Sequence, residues 1–118
     1  MITGTVGDNG VPVVTLRLAG KTWSATVDTG FNGDLELPLA LRTEFSARRA
    51  GRVTSLLAGG QRVEEDRYLL LFPFDGEVQA AEATFVPGEE ILLGTHLLRE
   101  HRLAINFVTR AVEIERAV

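Results

Sequence analysis

The stretch Ala25-Thr26-Val27-Asp28-Thr29-Gly30 decides how the rest of the sequence is read. Residues 22–27 alternate and are rich in β-branched side chains, so they form a strand, and an aspartate, a hydroxyl and a glycine close it. A lone ionised carboxylate at the end of an apolar strand is costly unless it is hydrogen-bonded or changes its protonation. An acid kept there therefore points to a chemical task. Taken in isolation, the tripeptide is equally a turn that ends a strand.

Working outward, twelve glycines cut the chain into short segments, most of them alternating or β-branched. Residues 2–6 run into the turn Gly7-Asp8-Asn9-Gly10, residues 11–18 alternate up to Ala19-Gly20-Lys21, and residues 22–27 complete a meander. Pro38 suits the first turn of a short helix over 39–45, because its missing N–H would have no partner there, and the basic stretch 46–52 reads as a loop. Strands over 53–57 and 61–70 are joined by Ala58-Gly59-Gly60, a glycine pair suited to the positive φ of a tight hairpin. Residues 69–74 and 77–86 are further strands on either side of Asp75-Gly76, and Ile91-Leu92-Leu93 is a buried strand ending at Gly94. Thr95 is an N-cap for a helix through His101, followed by strands over 103–107 and 111–114. The expected fold is all-β, in one domain spanning residues 1–118.

Composition narrows the function classes. With 118 residues, 45% hydrophobic and 24% charged, the chain is an ordinary globular sequence. A net charge of −4, and no basic run longer than Arg48-Arg49, argue against nucleic acid as a partner. The absence of cysteine excludes disulfides, thiolate nucleophiles, iron–sulfur clusters and the common zinc modules. With no signal-like N-terminus, and with an apolar stretch over 68–74 too short to span a membrane, a cytoplasmic location and no membrane partner are expected. His96 and His101 lie five apart, off the i, i+4 spacing of a helical metal site, so no metal is expected and both read as surface or helix-end residues. Asp8, Asp34, Asp66 and Asp75 read as solvated or capping acids, Glu64-Glu65-Asp66 as a solvated hairpin flank, and Trp23 as core.

The order of strand and Asp-Thr-Gly, then a glycine-tipped hairpin, then an apolar strand ending in glycine with a short helix resembles the retropepsin-like aspartic protease family. The resemblance spans nearly the whole chain. It rests on Val27-Asp28-Thr29-Gly30-Phe31-Asn32-Gly33 and Leu92-Leu93-Gly94-Thr95-His96-Leu97-Leu98, as in the family's small prokaryotic single-domain members. It implies a closed barrel with a flap hairpin and one short C-terminal helix. Asp28 would be the catalytic carboxylate, Thr29 would lock paired active-site loops, and Gly30 would admit the substrate backbone. Phe31 would line the substrate site with Leu57, Ala58, Gly59 and Gly60 at the flap tip, although Phe31 stands where viral members carry a small residue. Gly94 would pack behind the catalytic loop, and the segments near 2–6 and 112–118 would help form a dimer.

That chemistry needs two carboxylates, one to deprotonate a water and one to protonate the carbonyl oxygen, yet the chain holds a single Asp-Thr-Gly. A two-fold homodimer would supply the second. The expectation is a homodimeric aspartic endopeptidase acting on peptides or proteins without metal or organic cofactor. Two other classes stay open: a non-catalytic module that keeps the fold for binding or dimerisation, and a small β-barrel ligand binder whose motif is accidental.

Overall fold

A computed structural model describes residues 1–45, 47–56 and 58–118, and of Val53 and Ser55 the backbone only. Ten strands follow in order: β1 (Ile2–Val6), β2 (Pro12–Leu18), β3 (Lys21–Val27), β4 (Leu35–Pro38), β5 (Arg48–Leu56), β6 (Arg62–Phe74), β7 (Glu77–Val86), β8 (Leu92–Leu93), β9 (His101–Asn106) and β10 (Ala111–Arg116). The all-β expectation holds. Alternation sets the buried face: Val14, Leu16 and Leu18 point inward on β2, Leu70, Phe72 and Phe74 on β6, and Val112 and Ile114 on β10. Trp23 is partly buried, stacks edge-on against Phe45 and donates its indole N–H to the carbonyl of Leu18 (3.0 Å).

Strand order is β5-β6-β7-β4-β8-β3-β2-β1-β10-β9, with β3 parallel to β8 and β4 parallel to β7. Among the described residues β5 and β9 are edge strands at opposite ends, each paired on one side only, so the sheet is open and the expected closed barrel is corrected. Closure would need those two strands to hydrogen-bond to each other, and β5 instead belongs to an arm that leaves the sheet. The β6–β7 ladder reaches only Arg67↔Thr84; beyond it, residues 62–66 of β6 pair with β5 alone. The β5–β6 register slips between Arg49 and Gly51, where Gly51 takes a φ of +127°.

Other expectations change with tertiary context. The 46–52 loop becomes strand from Arg48, because Arg49 and Arg52 meet Asp66 (3.1 Å) and Glu64 (3.3 Å) across the ladder. Asp66 is pulled below the usual carboxylate range, chiefly by its hydrogen bond from Arg49. The strands expected at 61–70 and 69–74 are one strand. The short helix near 39–45 is a 3-10 helix over Leu39–Glu44. The expected C-terminal helix from Thr95 to His101 is replaced by turns, in which Leu98, Arg99 and His101 each donate to a carbonyl three residues back. Thr95 does not cap: its N–H and hydroxyl both reach the carbonyl of Phe31, and the N–H of His96 reaches Gly33. Among the described residues, no helix is long and apolar enough to cross a membrane.

Candidate active site

The site is built where β8 is inserted between β3 and β4. The chain leaves β3 at Val27, passes over the end of β8 as the loop 28–34, and returns as β4 antiparallel to β8. Backbone bonds hold both ends of that loop on β8: Asp28 N–H donates to Leu93 O (2.9 Å), and Gly94 N–H donates to Asp34 O (3.0 Å). Gly94 lies directly behind the loop. A Cβ there would come within 2.7 Å of the Phe31 ring and 2.8 Å of its carbonyl, and would overlap the Gly33 carbonyl.

Asp28 is half-buried at the end of β3. Its Oδ1 accepts the Gly30 N–H (2.9 Å), and its carbonyl accepts the Phe31 N–H (3.1 Å), so the Asp-Thr-Gly stretch is a tight turn stabilised by its own aspartate. One carboxylate oxygen is engaged within the turn. Thr29 and Gly30 are exposed beside it.

Next to this turn runs a groove of about 500 Å3, with Phe31, Leu35, Leu56, Ala83 and Thr84 contributing its wall and Glu36, Glu65, Arg67, Glu82 and His96 its polar groups. Glu36 is held above the usual carboxylate range, first by burial and then by the negative charges of Glu65 and Asp28. Arg67 reaches Glu82 (3.4 Å), while its Nε is buried without a partner among the described residues. The groove is thus an apolar slot with an acidic rim beside the Asp28 turn.

Of the residues expected from sequence, Asp28, Thr29, Gly30 and Phe31 come together, and Phe31 lines the groove. Ala58, Gly59 and Gly60 are exposed at the tip of the β5–β6 arm and do not line it; the arm contributes Leu56, Glu65 and Arg67 instead. Leu57 lies outside the described residues. Gly60 has the left-handed φ of +80°, whereas Gly59 does not. The segments near 2–6 and 112–118 are engaged within the chain, where β1 pairs with both β10 and β2.

Asp34 was misread from sequence: it is buried (5% exposed) rather than solvated. His96 is exposed, as expected of a surface residue, and its Nδ1 lies 2.6 Å from the Asp34 carboxylate. No local pattern could have announced a pairing across 62 positions.

This strand order and the paired loops at Asp28 and Gly94 define the fold of the retropepsin-like aspartic proteases. Among solved structures, a retropepsin-like aspartic protease from Rickettsia conorii superposes with a TM-score of 0.68 at 18% identity, covering 93% of this chain and 86% of that one. The foamy viral protease–reverse transcriptase, solved in complex with an RNA/DNA hybrid, matches with a TM-score of 0.60 at 16% identity over 80% of this chain. This chain spans only 13% of that longer polypeptide. No family model matches the sequence, and no curated protein does.

Proposed function

We propose that the chain is an aspartic endopeptidase that works as a homodimer, with Asp28 of each protomer forming the catalytic pair. The observation that carries this is the half-buried Asp28 turn, suspended over β8 beside a groove of about 500 Å3 in a retropepsin-like fold. One chain offers one such carboxylate, and a two-fold axis beside the exposed Thr29-Gly30 would supply the other. Two aspartates brought within about 3 Å share a proton, a known property of aspartic protease dyads, and the apparent pKa values belong to the pair. The ionised partner takes a proton from a water; the protonated partner donates to the scissile carbonyl as the water's oxygen attacks its carbon. The first carboxyl, now protonated, gives its proton to the amide nitrogen while the other takes one from a hydroxyl of the tetrahedral intermediate, so the C–N bond breaks to an amine and a carboxylic acid and the pair again shares one proton.

In this reading Thr29 braces the two loops against each other, Gly30 leaves room for substrate backbone, and Phe31 shapes a side-chain pocket. Ala58, Gly59 and Gly60 act as the tip of a lid that closes on the peptide. The chemistry calls for no metal or organic cofactor. A cytoplasmic location is part of the same proposal, supported by the cysteine-free composition.

The test compares wild type and Asp28→Asn on an unstructured protein substrate, with sedimentation across a concentration series. Cleavage that the variant loses, with specific activity falling as the dimer dissociates, is the expected result. Wild-type turnover by Asp28→Asn, or full activity from a strict monomer, overturns the proposal. Absence of cleavage by a stable wild-type dimer assigns the chain to the non-catalytic binding class instead.

A further inference from the structure

Asp34 is the one buried charged or polar residue among the described residues, at 5% exposure. A carboxylate so placed is tolerated only when its oxygens are hydrogen-bonded. Both are: Oδ2 accepts the backbone N–H of Glu82 on β7 (2.9 Å), and Oδ1 meets His96 Nδ1 (2.6 Å). Because a carboxylate only accepts, the ring proton at that contact sits on Nδ1, and Nε2 belongs to the ring's free edge, on a side chain that lines the groove. Arg99 does not compete for this role, since its Nη1 donates to the carbonyl of His96 (2.9 Å) and stands 3.5 Å from Nδ1.

Asp34 also anchors the far end of the loop that begins at Asp28, through Gly94 N–H to its own carbonyl. Three segments therefore meet on one carboxylate: the Asp28 loop, β7, and the turn after Gly94. We propose that Asp34 and His96 are a positioning pair, in which the Nδ1–H to Oδ1 bond sets where the 28–34 loop holds the Asp28 carboxylate. The proposal rests on the peptidase reading above for its consequence in turnover. Phe31, the groove residue on the same loop, is fixed separately by the N–H (2.9 Å) and hydroxyl (3.3 Å) of Thr95. Loss of the His96 bond should therefore free the far end of the 28–34 loop, and it also removes a side chain that lines the groove, so turnover and substrate binding are read separately. Turnover is the more sensitive quantity, because a reacting pair that must share one proton tolerates little displacement.

Three substitutions separate hydrogen bonding from mere packing. His96→Asn places an amide nitrogen where Nδ1 stands and can restore the donor; His96→Gln places it further out, nearer the position of Nε2; His96→Leu removes it. On a quenched fluorescent peptide cut by wild type, with active sites counted by titration with a hydroxyl-containing peptide isostere, His96→Leu and His96→Gln should lower kcat about tenfold, apart from any change in KM that follows from altering a groove-lining side chain. His96→Asn should return kcat to within about threefold of wild type. A second measurement needs no catalysis: hydrogen exchange of the Asp28 amide should quicken about tenfold in the Leu and Gln variants and recover in Asn.

Wild-type kcat and exchange in both His96→Leu and His96→Gln, or an Asn variant no better than Gln, overturns the positioning role. Should the leucine variant fail to fold, the contrast between Asn and Gln decides alone. Activity that survives Asp28→Asn removes the peptidase reading rather than this one, and the exchange rates then judge the pair by themselves.

Discussion

Gly94→Ala is the substitution whose cost can be worked most directly from the structure. The added methyl would meet the Phe31 ring at 2.7 Å and the Phe31 carbonyl at 2.8 Å, and would overlap the Gly33 carbonyl. Two of these three neighbours are backbone, which cannot rotate away, so the loop 28–34 must lift off β8. Overpacking of this kind costs about 1–3 kcal/mol. Lifting the loop also stretches the bonds Gly94 N–H to Asp34 O (3.0 Å), Thr95 N–H to Phe31 O (2.9 Å) and His96 N–H to Gly33 O (3.2 Å). Losing one of them adds about 1 kcal/mol. A total of about 3 kcal/mol, spread over the unfolding entropy expected for a chain of 118 residues, lowers Tm by about 12 °C. Circular dichroism melts at fixed protein concentration measure it. Gly59→Ala is the control, because a Cβ there meets nothing within 4 Å, and its expected change is below about 0.5 kcal/mol. A Gly94→Ala variant melting within about 3 °C of wild type would refute the close packing of the loop on β8.

Gly59→Pro removes backbone freedom and a donor from the tip of the β5–β6 arm, where no neighbour crowds the site; if the tip is the proposed lid, turnover should fall at least about tenfold with Tm nearly unchanged, and a loss of Tm with proportionate activity would make the tip a static turn. Glu36→Gln tests the acidic rim. Because Glu36 is held above its usual 4.5 by burial, Glu65 and Asp28, the folded chain binds that proton more tightly than the unfolded chain. Stability is therefore lost as pH rises from the ordinary carboxylate value through the raised one. The variant should melt higher than wild type at pH 7, with the gain gone below pH 4.5; a difference independent of pH in scanning calorimetry would overturn this account of the groove.

Much of the local structure was already legible in the amino-acid order. The period-two burial of Val14, Leu16 and Leu18, or of Val112 and Ile114, follows from alternation between neighbours two apart. Turns at Gly10, Gly20, Gly60 and Gly76 carry the positive φ that glycine tolerates. Asp28 stood out because an acid ending an apolar strand is costly, and Asp28 to Phe31 are consecutive, so their clustering needed no topology. What tertiary structure alone decided depends on residues far apart in sequence. β8 enters between β3 and β4, which puts Gly94 behind the loop and turns an expected helix at 95–101 into turns whose first N–H groups are taken by Phe31 and Gly33. Asp34 is buried by strands that sequence cannot bring to it, and its bonds to His96 and Glu82 span 62 and 48 positions. Propensity and alternation act over a few residues, whereas the burial of a charge, the opening of the sheet and the lining of the groove are set by which strands pair, and that is a property of the whole chain.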